Sequence, residues 1–284
     1  MMAVASGCTE KLDGSAGCPL TCSNDEVQIS TVTLDAVQKD TTVLGGLGLG
    51  TAAEMLLANR GDSLDTRVII RFDSLPSKSK ASASDTAAPI TYLSDAVLHL
   101  VVDSAAVRVG VPVTINIYDV DDSTAVDDTS AAALVPLFTP SRLITSLQYD
   151  PAVIADSLLL PLPQPFILAK AQAHARLRLG LQVSASKSVG FHIGSTEASI
   201  GPHLTMRTSP DTAVAAINMS PYSVTPANNA SIAGHLGDFM LIVKGTAAPP
   251  TSGTLAIGGL PGTRAYLLFN IPPVISDSSL VVAA

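Results

Sequence analysis

The sequence predicts an all-β fold: an antiparallel β-sandwich followed by a second, partial β-sandwich repeat. Three observations carry this expectation. Apolar and polar residues alternate with a period of two in several segments, sustained helical periodicity is scarce, and Gly 20 plus Pro 19 give 39 residues that punctuate the chain.

From Thr66 to Asp73 the alternation puts Val68, Ile70 and Phe72 on one face and Arg67, Ile69 and Arg71 on the other. It recurs in Leu98, Leu100 and Val102, and in Val113, Ile115 and Ile117 opposite Thr114, Asn116 and Tyr118. It returns in Leu177, Leu179, Leu181 and Val183 opposite Arg176, Arg178 and Gln182. Such segments read as half-buried antiparallel strands. The polar or Pro-rich stretches Ser77 to Pro89 and Asp119 to Thr129 suit the loops at the ends of a sandwich. One short helix is expected from Pro165 to about Ala175, with Pro165 at its first position and Phe166, Ala169 and Ala173 on one face. The best apolar run, Leu158 to Ala169, is interrupted by Pro161, Pro163 and Pro165, and falls short of the roughly 18 residues a spanning helix needs.

The 284 residues make two globular units the first expectation at roughly 150 residues per domain. With 47% hydrophobic and 14% charged residues and a mean hydropathy of +0.39, the chain must bury much of itself and is not predominantly disordered. Lys plus Arg is 16 against Asp plus Glu at 24, a net charge of −8, which opposes phosphate contacts and argues against nucleic acid as a partner.

An internal repeat divides the chain. Arg264 to Asn270 aligns with Arg67 to Asp73, Ile271-Pro272 with Leu75-Pro76, and Ser276-Asp277 through Leu280 with Ser94-Asp95 through Leu98. Upstream, Met240 to Gly245 aligns with Met55 to Gly61 after one insertion. The expected organisation is a leader and tether over 1–24, a jelly-roll domain over 25–208 and a partial second copy over 209–284. A half sandwich leaves open edges and an uncovered apolar face, so its strands are expected to pack on the first copy or on another chain unless the sequence is truncated.

All three cysteines, Cys8, Cys18 and Cys22, lie in the first 22 residues. The stretch Ala5-Ser6-Gly7-Cys8 resembles the lipobox at which bacterial lipoprotein precursors are cut and acylated. That resemblance implies Cys8 as the lipidated first residue, and it leaves Cys18 and Cys22 as an even pair able to form a disulfide in an oxidising compartment. The alternatives are a free thiol and a disulfide in a flexible leader, or a C-x-x-x-C zinc half-site, which has no neighbouring His.

From Thr41 to Thr208 stand, in order, Arg71-Phe72-Asp73 with Leu75-Pro76, the strand Ala96-Val97-Leu98-His99-Leu100, and Val113 to Tyr118 followed by Asp121-Asp122. On these residues the first copy resembles the DNRLRE-type domain. Gly194-Ser195-Thr196-Glu197 and Pro202 to Met206 resemble that family's closing loop and strand. The resemblance implies a jelly-roll sandwich of bacterial secreted proteins, related to carbohydrate-binding modules.

Candidate chemistry is sparse. Asp119, Asp121, Asp122, Asp127 and Asp128 place five carboxylates within ten residues, the kind of loop from which Ca²⁺ gathers oxygen ligands, although the glycine and glutamate of an EF-hand are missing. The same acids also suit a solvated loop. Arg60-Gly61-Asp62-Ser63 contains the tripeptide that integrins read, and a Gly-Asp pair is equally what a tight turn selects. His99, His174, His192, His203 and His235 form no zinc-enzyme spacing, Gly46 to Gly50 fits no phosphate loop, and no nucleophile elbow is present. Tyr92, Phe138, Tyr149 and Tyr222 are the loop aromatics available to stack on a sugar or to pin loops.

The expected function is a non-enzymatic lipoprotein of the bacterial cell envelope, held to the membrane through Cys8 and displaying a structural or binding module. Polysaccharide or another surface protein is its expected partner. The alternatives are a carbohydrate-binding module and a self-assembling surface subunit that accepts a strand from a neighbour.

Overall fold

The computed structural model describes residues 37–44, 50–123, 129–224, 236–245, 254, 257 and 263–269. The strands in chain order are β1 (Val37–Leu44), β2 (Glu54–Asn59), β3 (Leu64–Phe72), β4 (Lys78–Ser79), β5 (Ala88–Pro89), β6 (Asp95–Arg108) and β7 (Val113–Asp119). After them come α1 (Ala131–Leu134), β8 (Leu143–Tyr149), β9 (Ser157–Pro161), α2 (Gln164–Gln172), β10 (Leu177–Ala185), β11 (Val189–Gly194), β12 (His203–Arg207), β13 (Ile217–Met219), β14 (Asp238–Gly245) and β15 (Thr263–Phe269). Residues 41–266 form one compact unit, and residues 1–40 with 267–284 another.

Eleven of the described strands join one curled antiparallel sheet in the order β13-β12-β6-β11-β2-β3-β10-β7-β8, with β14 also on β3 and β9 also on β6. β6 makes the curl possible because its fourteen residues serve different neighbours along their length. Asp95 to Val101 pair with β12 and β9, whereas Val102 to Arg108 pair with β11 across a register shift. The chain is thus all-β and sandwich-like, with β14-β3-β10-β7-β8 opposing the strands around β6.

The period-two faces meet where the alternation places them. Val68, Ile70, Phe72, Leu98, Leu100, Ile115, Ile117, Leu179 and Leu181 have no exposed surface and share one core. Each such side chain stabilises the fold by about 1.5–3 kcal/mol relative to exposure.

The expectation of half-buried strands fails for β3 and β10, which are covered on both faces. Ile69, Arg71 and Arg178 are as buried as the core residues beside them. Their cover is a second cluster, in which Ile69, Tyr118 and Val120 pack with Phe239 and Leu241 of β14 and with Leu134, Leu137 and Phe138 of the segment after β7. Phe138 lies directly on Gly180, where a Cβ would approach its ring within 2.6 Å. Arg67 stacks over the same ring at 4.5 Å.

Two further expectations are adjusted. The helix runs from Gln164 to Gln172, and the face it buries is Ile167 and Ala171, because the branched Ile offers more apolar surface than the exposed Ala169 and Ala173. The Ser77 to Pro89 connection contains the small β4–β5 ladder.

Strands lie at 238–245 and 263–269, over two of the aligned segments, while the third, 276–280, lies outside the described residues. β13 pairs with β12, and β14 pairs with β3 from Asp238↔Ile70 to Gly245↔Leu64, so strands beyond Ser209 extend the sheet formed by those before it. β15 pairs with β1 in a separate two-stranded sheet. No helix among the described residues is long and apolar enough to cross a membrane.

Candidate functional site

The acidic turn begins where β7 ends. Asp119 lies 2.9 Å from Lys170 Nζ, supplied by α2, and Asp121 lies 2.5 Å from Arg176 Nε, in the approach to β10. The Asp121 backbone N–H donates to Asp119 Oδ1 at 3.2 Å. Arg142 Nη1 donates to the carbonyls of Asp119 at 3.1 Å and Asp121 at 2.8 Å. Three cations therefore converge on the first half of the turn. Asp122 follows on the same turn, while Asp127 and Asp128 lie outside the described residues. Among the described residues no three His, Cys, Asp or Glu side chains converge as a metal site. Cys8, Cys18 and Cys22 also lie outside the described residues.

Arg60, Gly61 and Asp62 form the exposed tip of the β2–β3 hairpin. The Ser63 N–H closes the turn on the Arg60 carbonyl at 3.3 Å, and Gly61 takes φ +62°, a conformation that favours glycine. Asp62 pairs with Lys244 of β14 at 3.1 Å, in full contact with solvent.

The histidines are dispersed over strand faces. His99 and His203 are cross-strand partners on β6 and β12, with rings stacked 4.4 Å apart and 12° from parallel. Parallel rings aim their lone pairs alongside one another, not at a common point. Burial and the neighbouring His203 lower the pKa of His99, and Asp95 opposes them. His192 Nδ1 is 2.8 Å from Glu54, and His174 Nδ1 meets the Leu75 carbonyl at 2.6 Å. His235 lies outside the described residues.

Three of the four loop aromatics are pinned. The Tyr149 hydroxyl donates to the Leu159 carbonyl at 2.6 Å, Tyr222 bonds the backbone and hydroxyl of Ser74, and Phe138 packs on Gly180 and Tyr118. Tyr92 alone of the four is more than two-fifths exposed.

Sequence reasoning missed a polar cluster at the head of β14. Asp238 has no exposed surface, and its two carboxylate oxygens accept from the Thr196 N–H and the Thr196 hydroxyl, each at 2.8 Å. Glu197 Oε2 lies 3.2 Å from the same hydroxyl and 3.0 Å from that of Ser195. Ser195 in turn reaches the Ala52 carbonyl at 2.5 Å. The sequence signals were the Ser195-Thr196-Glu197 loop, which was read only as part of a resemblance, and an acid opening the apolar run Phe239 to Val243.

Compared with known proteins, the chain matches no family model and no curated sequence. Its chemistry has to be argued from its own residues.

Proposed function

We propose that the chain is a non-enzymatic lipoprotein of the bacterial cell envelope, anchored through acyl chains on Cys8 and displaying a β-sandwich structural or binding module. The observation that supports it best is the position of β14. This strand lies in the second copy of the sequence repeat, yet it is hydrogen-bonded along β3 of the first. Successive repeats joined through a common sheet make a stiff spacer, which suits a module held away from a membrane. The buried polar groups support the same reading, because Arg71 and Asp238 each hold a structural partner. A DNRLRE-type module is the finer form of the proposal.

The assembly reading has one observation in its favour, since a β3 edge filled by a strand from another repeat is also the geometry of strand complementation. The sugar-binding reading has only Tyr92 as an exposed aromatic within residues 50–224.

Fractionation of expressing cells tests the anchor. The wild-type chain is expected in the envelope fraction and Cys8→Ala in the soluble fraction. Identical partitioning of the two would overturn the proposal.

A further inference from the structure

The geometry points to Ser195, Thr196, Glu197 and Asp238 as a proton-sharing clasp that seats β14 on the sheet when it holds its proton and slackens when it loses it. Counting hydrogens leads to this. Two hydroxyl groups, those of Ser195 and Thr196, stand in four short contacts: Ser195 with Ala52 O and Glu197 Oε2, and Thr196 with Asp238 Oδ1 and Glu197 Oε2. Each hydroxyl has one hydrogen to donate. The Ala52 carbonyl has none to give, so the Ser195 proton belongs to that contact. The Thr196 proton then cannot serve both carboxylates. With both acids ionised, one carboxylate oxygen faces the hydroxyl oxygen across a gap without hydrogen. A proton on Asp238 removes the conflict at Thr196, because Asp238 then donates to Thr196 and Thr196 donates to Glu197.

The surroundings put that proton on Asp238. Glu197 is exposed, whereas Asp238, at the start of β14, has no exposed surface. Burial, opposed by the bonds from Thr196 and helped by the Glu197 charge, raises the Asp238 carboxyl from 3.8 to about 6. The other charged groups on the elements packed around it are committed elsewhere. On β3, Arg71 holds Asp73 at 2.5 Å; on β10, Arg178 stacks on Phe239; on β2, Glu54 meets His192; and on β14 itself, Lys244 reaches Asp62 at the far end. α1 carries no charge.

Because the seated carboxyl holds its proton more tightly than a free one, deprotonation favours release. The clasp is tight below about pH 4, loosens as the pH rises towards about 6, and is fully weakened above that. A difference of about two pH units corresponds to roughly 100-fold in the seating equilibrium. The clasp does not depend on the lipid anchor.

Hydrogen–deuterium exchange on the full chain, corrected for the intrinsic rate, tests this at the β14 amides. In the wild type, protection is expected to fall by up to ~100-fold between pH 4 and 7.5. In Asp238→Asn, whose amide both accepts from the Thr196 N–H and donates to its hydroxyl, protection should stay flat. Glu197→Gln should move the midpoint to lower pH. A carbon-13 titration of the wild-type Asp238 carboxyl gives a reading without substitution, and a midpoint near 6 supports the clasp. A midpoint near 4, or β14 protection that is equally flat in the wild type and Asp238→Asn, would overturn it.

Discussion

Arg71 on β3 and Arg178 on β10 are direct cross-strand partners, and neither exposes more than 1% of its surface. Like charges opposite one another repel, and burial removes the water that would screen them. Asp73, two residues beyond Arg71, holds the Arg71 guanidinium at 2.5 Å, and the Phe239 ring lies 5.8 Å from Arg178. Asp73→Ala removes the carboxylate paired with the buried Arg71 cation and is expected to cost about 3–5 kcal/mol. Asp62→Ala, which removes a solvated pair with Lys244, should leave the urea midpoint unchanged. Equal midpoints for the two variants would show that the Arg71 pair is not structural.

At Gly180 on β10 the covering segment lies close to the backbone. A Cβ there would lie 2.6 Å from the Phe138 ring and 2.7 Å from Val120. Phe138 is held from the other side by Arg67 and Tyr118, so it has little room to move. Gly180→Ala is expected to destabilise by about 1–3 kcal/mol in chemical denaturation. Gly180→Ala combined with Phe138→Ala should cost less than the sum of the two single changes.

Lys170, Arg176 and Arg142 neutralise the near half of the acidic turn. Removing Lys170 and Arg176 together takes away the side-chain cations paired with Asp119 and Asp121. The double alanine variant is expected to gain more thermal stability from millimolar Ca²⁺ than the wild type gains, because the added cation replaces the lost ones. Equal responses in differential scanning calorimetry would show that the two side chains do not compete with calcium.

The stacked His99 and His203 give a pH dependence opposite in sign to that of Asp238. Burial and the His203 charge lower the folded pKa of His99 below 6.5, so the unfolded chain takes up this proton first as the pH falls. Its contribution to stability is present above about 6.5 and is lost on acidification through that window. His203→Gln removes one of the two lowering causes. By proton NMR the His99 midpoint is expected to rise towards its ordinary value without reaching it, since burial remains.

The alternation at Val68, Ile70 and Phe72, and at Leu177 to Val183, made the strands and their inward faces legible, because a period of two fixes which side chains meet the core. What covers the outward face was not legible. Arg71 and Arg178 read as solvent-facing until Phe138 and β14 are placed above them, and neither of those segments carries a periodicity that says where it docks. The repeat located strands at 238–245 and 263–269, but not their partners. Arg67 to Phe72 and Arg264 to Phe269 align residue for residue, yet Ile69 and Ile70 are fully buried while Tyr266 and Leu267 are about half exposed. Burial depends on neighbours, which a local alignment does not contain. The acids at 119 and 121 were visible as a cluster, whereas the cations that engage them come from residues 142, 170 and 176, brought in only by the fold.

Intact-mass measurement with metabolic acyl labelling, on protein expressed from its native upstream DNA, tests the central claim most directly. A mature species that begins at Cys8 and carries acyl chains is the predicted result. An unmodified chain retaining Met1 would contradict the lipoprotein assignment.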